Sequence, residues 1–137
     1  MKTKKCLELN DAQAAMKAGL EKSRELGIPM SLAIVDEGGT QRLLARMDGA
    51  SLLSLDVAMR KAYTSAVSGY PTGDFFDAVS GEPPLLAGLA HRPDLALFAG
   101  GIPVVADGEV IGAVGVSGGH YSDDHVVATA MLESLTH

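Results

Sequence analysis

Apolar and polar positions change period several times along this chain, and each change marks an element. Ala12, Ala15, Met16, Leu20 and Leu26 fall near one face of a helix over residues 11–26. Asn10 is positioned to cap it, Gly27 to close it, and Pro29 to prevent its continuation. Residues 30–35 and 40–47 read as two strands joined by a turn at Glu37-Gly38-Gly39. Leu52, Leu55, Met59, Ala62 and Ala66 recur at steps of three and four, which predicts a second helix over 52–67. Gly69, Pro71 and Gly73 break that pattern, and residues 72–93 offer only short helical pieces, around 75–79 and 84–90. Irregular segments of this kind often carry function. Residues 95–98 suggest a short strand. Residues 102–106 and 109–116 flank Asp107-Gly108, a strong hairpin signal. Ser122 is placed to cap a last helix with Asp123 and Asp124 in its first turn and an apolar stripe of Val127, Ala130, Met131 and Leu135. Two hairpins among helices predict one α+β domain over 1–137: an antiparallel sheet flanked by helices, in a profilin- or PAS-like arrangement of two or three layers.

Composition narrows the functions open to such a domain. The 137 residues include 11 Lys+Arg and 17 Asp+Glu, a formal net charge of −6. Without a basic cluster, nucleic acid is not an expected partner. Three Tyr, three Phe and no Trp also leave few surfaces on which bases could stack. The basic start, Met1 to Lys5, is followed by Glu8 and Asp11 where the apolar core of an export signal should run. No apolar run approaches the ~18 residues of a membrane span. Cys6 is the only cysteine, so no internal disulfide or zinc knuckle is expected. The expectation is a soluble cytoplasmic protein. Its 16 glycines and 19 alanines imply backbones that approach each other, or a ligand, closely.

Candidate chemistry lies in four places. Gly100-Gly101 and Gly118-Gly119 form loops around the second hairpin, and the latter precedes a helix N-terminus able to receive an anion. The plainer reading is that these glycines only make tight turns. Among His91, His120, His125 and His137, His120 follows the double glycine and is the first choice for a functional imidazole; a surface role is the alternative. No His, Cys or carboxylate spacing matches a metal motif, so no metal site is assigned. Lys61 sits beside the apolar stripe of the second helix, where burial would favour a base or amine nucleophile; alternatively it snorkels outward. Tyr63 and Thr64 would then supply hydroxyls nearby. Arg46 is a candidate carboxylate clamp, or simply a local partner of Asp48.

Three segments together resemble one family: Val35–Gly39 running to Arg46-Met47-Asp48-Gly49-Ala50, then Asp56 to Ala66, then Gly100-Gly101-Ile102-Pro103-Val104 through Gly112–Gly119 to Asp124. The chain is similar along nearly its whole length to the GlcG/HbpS family, itself related to the C-terminal domain of PduO-type corrinoid adenosyltransferases. The resemblance implies a compact α+β domain that forms homo-oligomers, dimers or higher, and a small-molecule ligand. Several members bind haem, and members occur beside glycolate, propanediol and glycerol utilisation genes. The family's motif residues carry over as Arg46, Asp48, Lys61, Thr64, Gly101, Gly118 and Asp124. His120, Tyr121 and His125 depart from it, standing where many members have Thr or Ala, Pro and Glu. The acidic iron-binding pairs of secreted members have no counterpart here.

Three functions are consistent with these residues. The first is binding of haem or another tetrapyrrole, with His120, His125, Met47 or Lys61 as axial donor, in the catabolism of small diols or hydroxy acids. The residues assigned to ligand binding are Arg46, Asp48, Lys61, Thr64, Gly100, Gly101, Gly118, Gly119 and His120. The second is a cofactor-independent isomerase or tautomerase of a small oxo- or hydroxy-acid, with Lys61, His120 and Asp124 as catalytic candidates. The third is an assembly role beside a cobalamin-dependent diol enzyme. The scarcity of aromatics speaks against a deep porphyrin pocket within one subunit.

Overall fold

A computed structural model of the chain describes residues 1–135; His137 lies outside them. The elements are α1 (Leu9–Leu26), β1 (Ser31–Asp36), β2 (Gln41–Arg46), α2 (Leu52–Ser68), α3 (Thr72–Ser80), α4 (Pro83–Ala90), β3 (Gly101–Ala106), β4 (Glu109–Ser117) and α5 (Tyr121–Glu133). The two hairpins, β1–β2 and β3–β4, join through an antiparallel β1–β4 ladder, which gives one four-stranded sheet of order β2-β1-β4-β3. None of the described helices is long and apolar enough to cross a membrane.

Helices cover both faces of the sheet, so of the two arrangements expected the three-layer one is found. Side chains alternate across a strand. Leu32 and Ile34 of β1 and Val114 and Val116 of β4 therefore point to one face, where they pack with Met16 of α1 and Val127 and Met131 of α5. Ala33 and Ala113 point to the other, against Ala58, Ala62 and Ala66 of α2. One interface is built of large aliphatic side chains and the other of alanine and glycine. A Cβ on Gly115 would lie 2.1 Å from the Ala58 carbonyl oxygen and 2.5 Å from the Ala62 nitrogen. The surplus of small residues thus has a cause: α2 lies almost directly on the backbone of β4.

Several boundaries differ from the sequence expectation. Helix α1 begins before Asn10: Glu8 is its N-cap, in a capping box with Asp11, and Leu7 is anchored through its N–H on the Ile111 carbonyl. Helix α5 is capped by His120 rather than Ser122, with the Ser122 N–H donated to His120 Nδ1. Within its stripe Val127 and Met131 are buried, joined by Ala128, whereas Ala130 and Leu135 are only half-buried. Residues 95–98 are not a strand. The Ala96 N–H donates to Thr64 Oγ1 on α2 (2.9 Å), so this segment is pinned to a helix and not to a sheet edge. Both short helical pieces are real, and the eight residues of α4 all keep part of their surface exposed.

Candidate functional site

The starts of β1 and β3 and the ends of β2 and β4 share one end of the sheet. There the chain buries an ion pair. Lys61 rises from α2 with none of its surface exposed. Its ammonium donates to the Val116 carbonyl oxygen and to Asp124 Oδ2, each at 2.9 Å. It also faces the Phe98 ring, 4.7 Å from the centroid. The expected alternative, a lysine snorkelling outward, is not what the fold contains: the ammonium is held inside by the Val116 carbonyl and the Asp124 carboxylate. Asp124 stands in the first turn of α5, on the opposite layer, and Lys61 therefore ties the two helical layers together around the sheet's end. Asp124 Oδ1 accepts the Gly119 N–H at 3.0 Å. Burial pulls the Lys61 ammonium below its ordinary pKa and pushes the Asp124 carboxyl above its own, while their mutual attraction opposes both shifts.

Glycines make room for this arrangement. Gly100 has φ of +132°, and a Cβ there would sit 2.6 Å from Lys61 Nζ. A Cβ on Gly101 would come within 2.4 Å of the Lys61 carbonyl oxygen, and the Gly101 N–H is taken by Thr72 Oγ1 at 3.0 Å. Thr64 Oγ1 donates to the Arg60 carbonyl while accepting from Ala96. Lys61, Gly100, Gly101, Gly119 and Asp124 thus meet around the ion pair, Thr64 instead ties α2 to residue 96, and Gly118 lies at the turn against Met30.

Arg46 and Asp48 lie apart from it. Arg46 ends the edge strand β2 and donates to the Ala50 carbonyl at 3.5 Å, so the local pair with Asp48 is not formed. His120 is exposed: its Nδ1 serves the α5 cap, bonding Ser122 Oγ at 2.8 Å, and its ring lies against that of Tyr121, tilted by 35° with centroids 4.1 Å apart. Met47 accepts the Met30 N–H on its sulfur. Among the described residues no group of three or more His, Cys, Asp or Glu could hold a metal ion.

Directly outside the ion pair lies a cleft of about 570 Å³, a size typical of small-molecule and cofactor sites. Its walls are α3 (Gly73, Phe76), residues 97–99, and Tyr121 and His125 of α5, with Asp74 and Asp77 at the rim. Phe76, Phe98 and Tyr121 are half of the three Phe and three Tyr that the chain possesses. Sequence reading does not single out Phe76, Leu97 or Phe98, because three distant segments converge here. The usable signal was scarcity: in a chain with so few aromatics, each one is informative. His125 also borders a shallower pocket lined by Lys22 and Glu133.

Comparison with known proteins bears on the family and the fold. The family model described as "Haem degrading protein HbpS-like" matches residues 7–133. Protein GlcG of Escherichia coli K12 is 35% identical over 117 residues, 85% of each chain. An HbpS double mutant from Streptomyces reticuli superposes with a TM-score of 0.90 at 32% identity, covering 100% of this chain and 92% of that one. A crystal structure described as a PduOC:haem complex superposes at 0.85, with 29% identity and 94% of each chain covered.

Proposed function

This chain belongs to the GlcG/HbpS family, and from that premise we propose that it binds haem, or a closely related tetrapyrrole, in the cleft between α3, residues 97–99 and α5. One observation carries the reading: half of a very small set of aromatic side chains gathers around a single apolar cleft that also presents an imidazole. Flat apolar walls suit a porphyrin face, and His125 is the nitrogen donor that lines them. Of the other donors the sequence offered, Lys61 is enclosed and hydrogen-bonded, Met47 is engaged by Met30, and His120 is committed to the helix cap. Asp74 and Asp77 turn propionates away from α3, toward the side where Lys22 lies. When bound, haem supplies an iron whose reactivity follows its axial ligand and the polarity of the pocket. The haem complex of the PduOC relative, at 0.85 TM-score, supports the assignment. The setting in small-diol or hydroxy-acid catabolism rests on the family resemblance alone.

Full burial of Lys61 weighs against its use as a proton-abstracting base, since a general base must come within hydrogen-bond reach of its substrate. Binding is therefore preferred over the isomerase reading. Titrating the purified protein with hemin should give a shifted, saturable Soret band at one haem per chain. His125→Ala should displace that band and weaken binding. A wild-type protein that leaves the hemin spectrum unchanged would remove the proposal.

A further inference from the structure

The cleft's two facing walls, residues 97–99 and the first turn of α5, are separated by the whole β3–β4 hairpin. One side chain touches both. The Lys61 ammonium lies beneath the Phe98 ring on one side and is bonded to Asp124 on the other. Asp124 directly precedes His125 and stands one turn after Tyr121, the two α5 residues that line the cleft. Lys61 itself does not line it. A buried ion pair is a poor source of net stability, because desolvation consumes most of the attraction, yet it holds its partners in one geometry. The backbone accommodates it at some cost: Gly100 adopts a conformation closed to most residues, in the one place where a Cβ would collide with the ammonium.

We infer that the Lys61–Asp124 pair is the positioning device of the cleft, setting the separation of Phe98 from the α5 wall and thereby the affinity and coordination of the bound tetrapyrrole. The inference rests on the haem reading above. It makes Lys61 and Asp124 positioning residues that never touch the ligand.

The test compares hemin binding and thermal melting in the wild-type protein, Lys61→Met/Asp124→Asn and Asp124→Asn. The double variant leaves no unpaired buried charge, and its amide retains an acceptor for the Gly119 N–H. It should therefore melt close to wild type while binding hemin about tenfold more weakly or worse, with a displaced Soret band. A purely structural pair would move melting and leave the spectrum alone. If the double variant does not fold, Asp124→Asn, which keeps the shape of the site but leaves the Lys61 charge uncompensated and therefore melts lower, is compared with wild type in hemin binding at a temperature where both are folded. Wild-type affinity and an unshifted Soret band in the folded variant overturn the inference and leave the haem reading standing. Failure of the wild-type protein to bind hemin overturns both.

Discussion

Lys61 is a side chain with no surface exposed, and among the described residues Asp124 is the carboxylate that answers its charge. Removing one member of such a pair leaves the other buried and uncompensated. Lys61→Met should cost about 3–5 kcal/mol of folding stability, measured by urea denaturation. The pH dependence has a definite sign. Asp124 is already held above its usual value by burial, and Lys61 is the main group opposing that shift. Without Lys61 the carboxyl rises further. A carboxyl whose folded-state pKa exceeds its unfolded one favours the fold when protonated and withdraws that support as pH climbs through the folded-state pKa. The deficit of Lys61→Met relative to wild type should thus narrow toward the unfolded value of 3.8 and widen toward neutrality. A deficit that grows on acidification would contradict the burial assignment.

The elements show why the sequence was legible in some places and not others. The aliphatic run of residues 30–35 with its turn at Glu37-Gly38-Gly39, and the steps of three and four over 52–67, located β1, β2 and α2, because both patterns are local and report directly on burial. Capping was harder. Asn10 and Ser122 have the favoured chemistry, but the helices start earlier, where Leu7 is anchored to Ile111 and where the His120 ring accepts the Ser122 N–H. Residues 95–98 have a strand's composition, yet Thr64 claims the Ala96 N–H. The ion pair was invisible for another reason: its members are 63 residues apart, and only the join of β1 to β4 brings α2 and α5 to the same sheet end. The small-residue surplus was visible, although its use was not. Gly115→Ala tests that use at the level of the α2–β4 contact. The added methyl meets the helix backbone, not a movable side chain, at 2.1 Å. It should destabilise the fold by roughly 1–3 kcal/mol or more, seen as a lowered melting temperature. A neutral substitution would mean that α2 is free to ride outward.

At the scale of the whole molecule, three layers converge on one end of the sheet, and the cleft forms where α3, residues 97–99 and α5 meet there. Scarce aromatics argued against a deep porphyrin pocket, yet three of the six, Phe76, Phe98 and Tyr121, stand on this one cleft. The net charge of −6 bears on orientation: carboxylates at the α3 rim favour a ligand whose own acids point elsewhere. The most direct measurement is a crystal structure of the protein grown with hemin. The porphyrin should lie against Phe76, Phe98 and Tyr121 with its iron facing His125, and the Lys61–Asp124 bond should be intact behind it. Haem at another surface, or a cleft left unoccupied by haem in crystals of a protein that binds it in solution, would contradict the account.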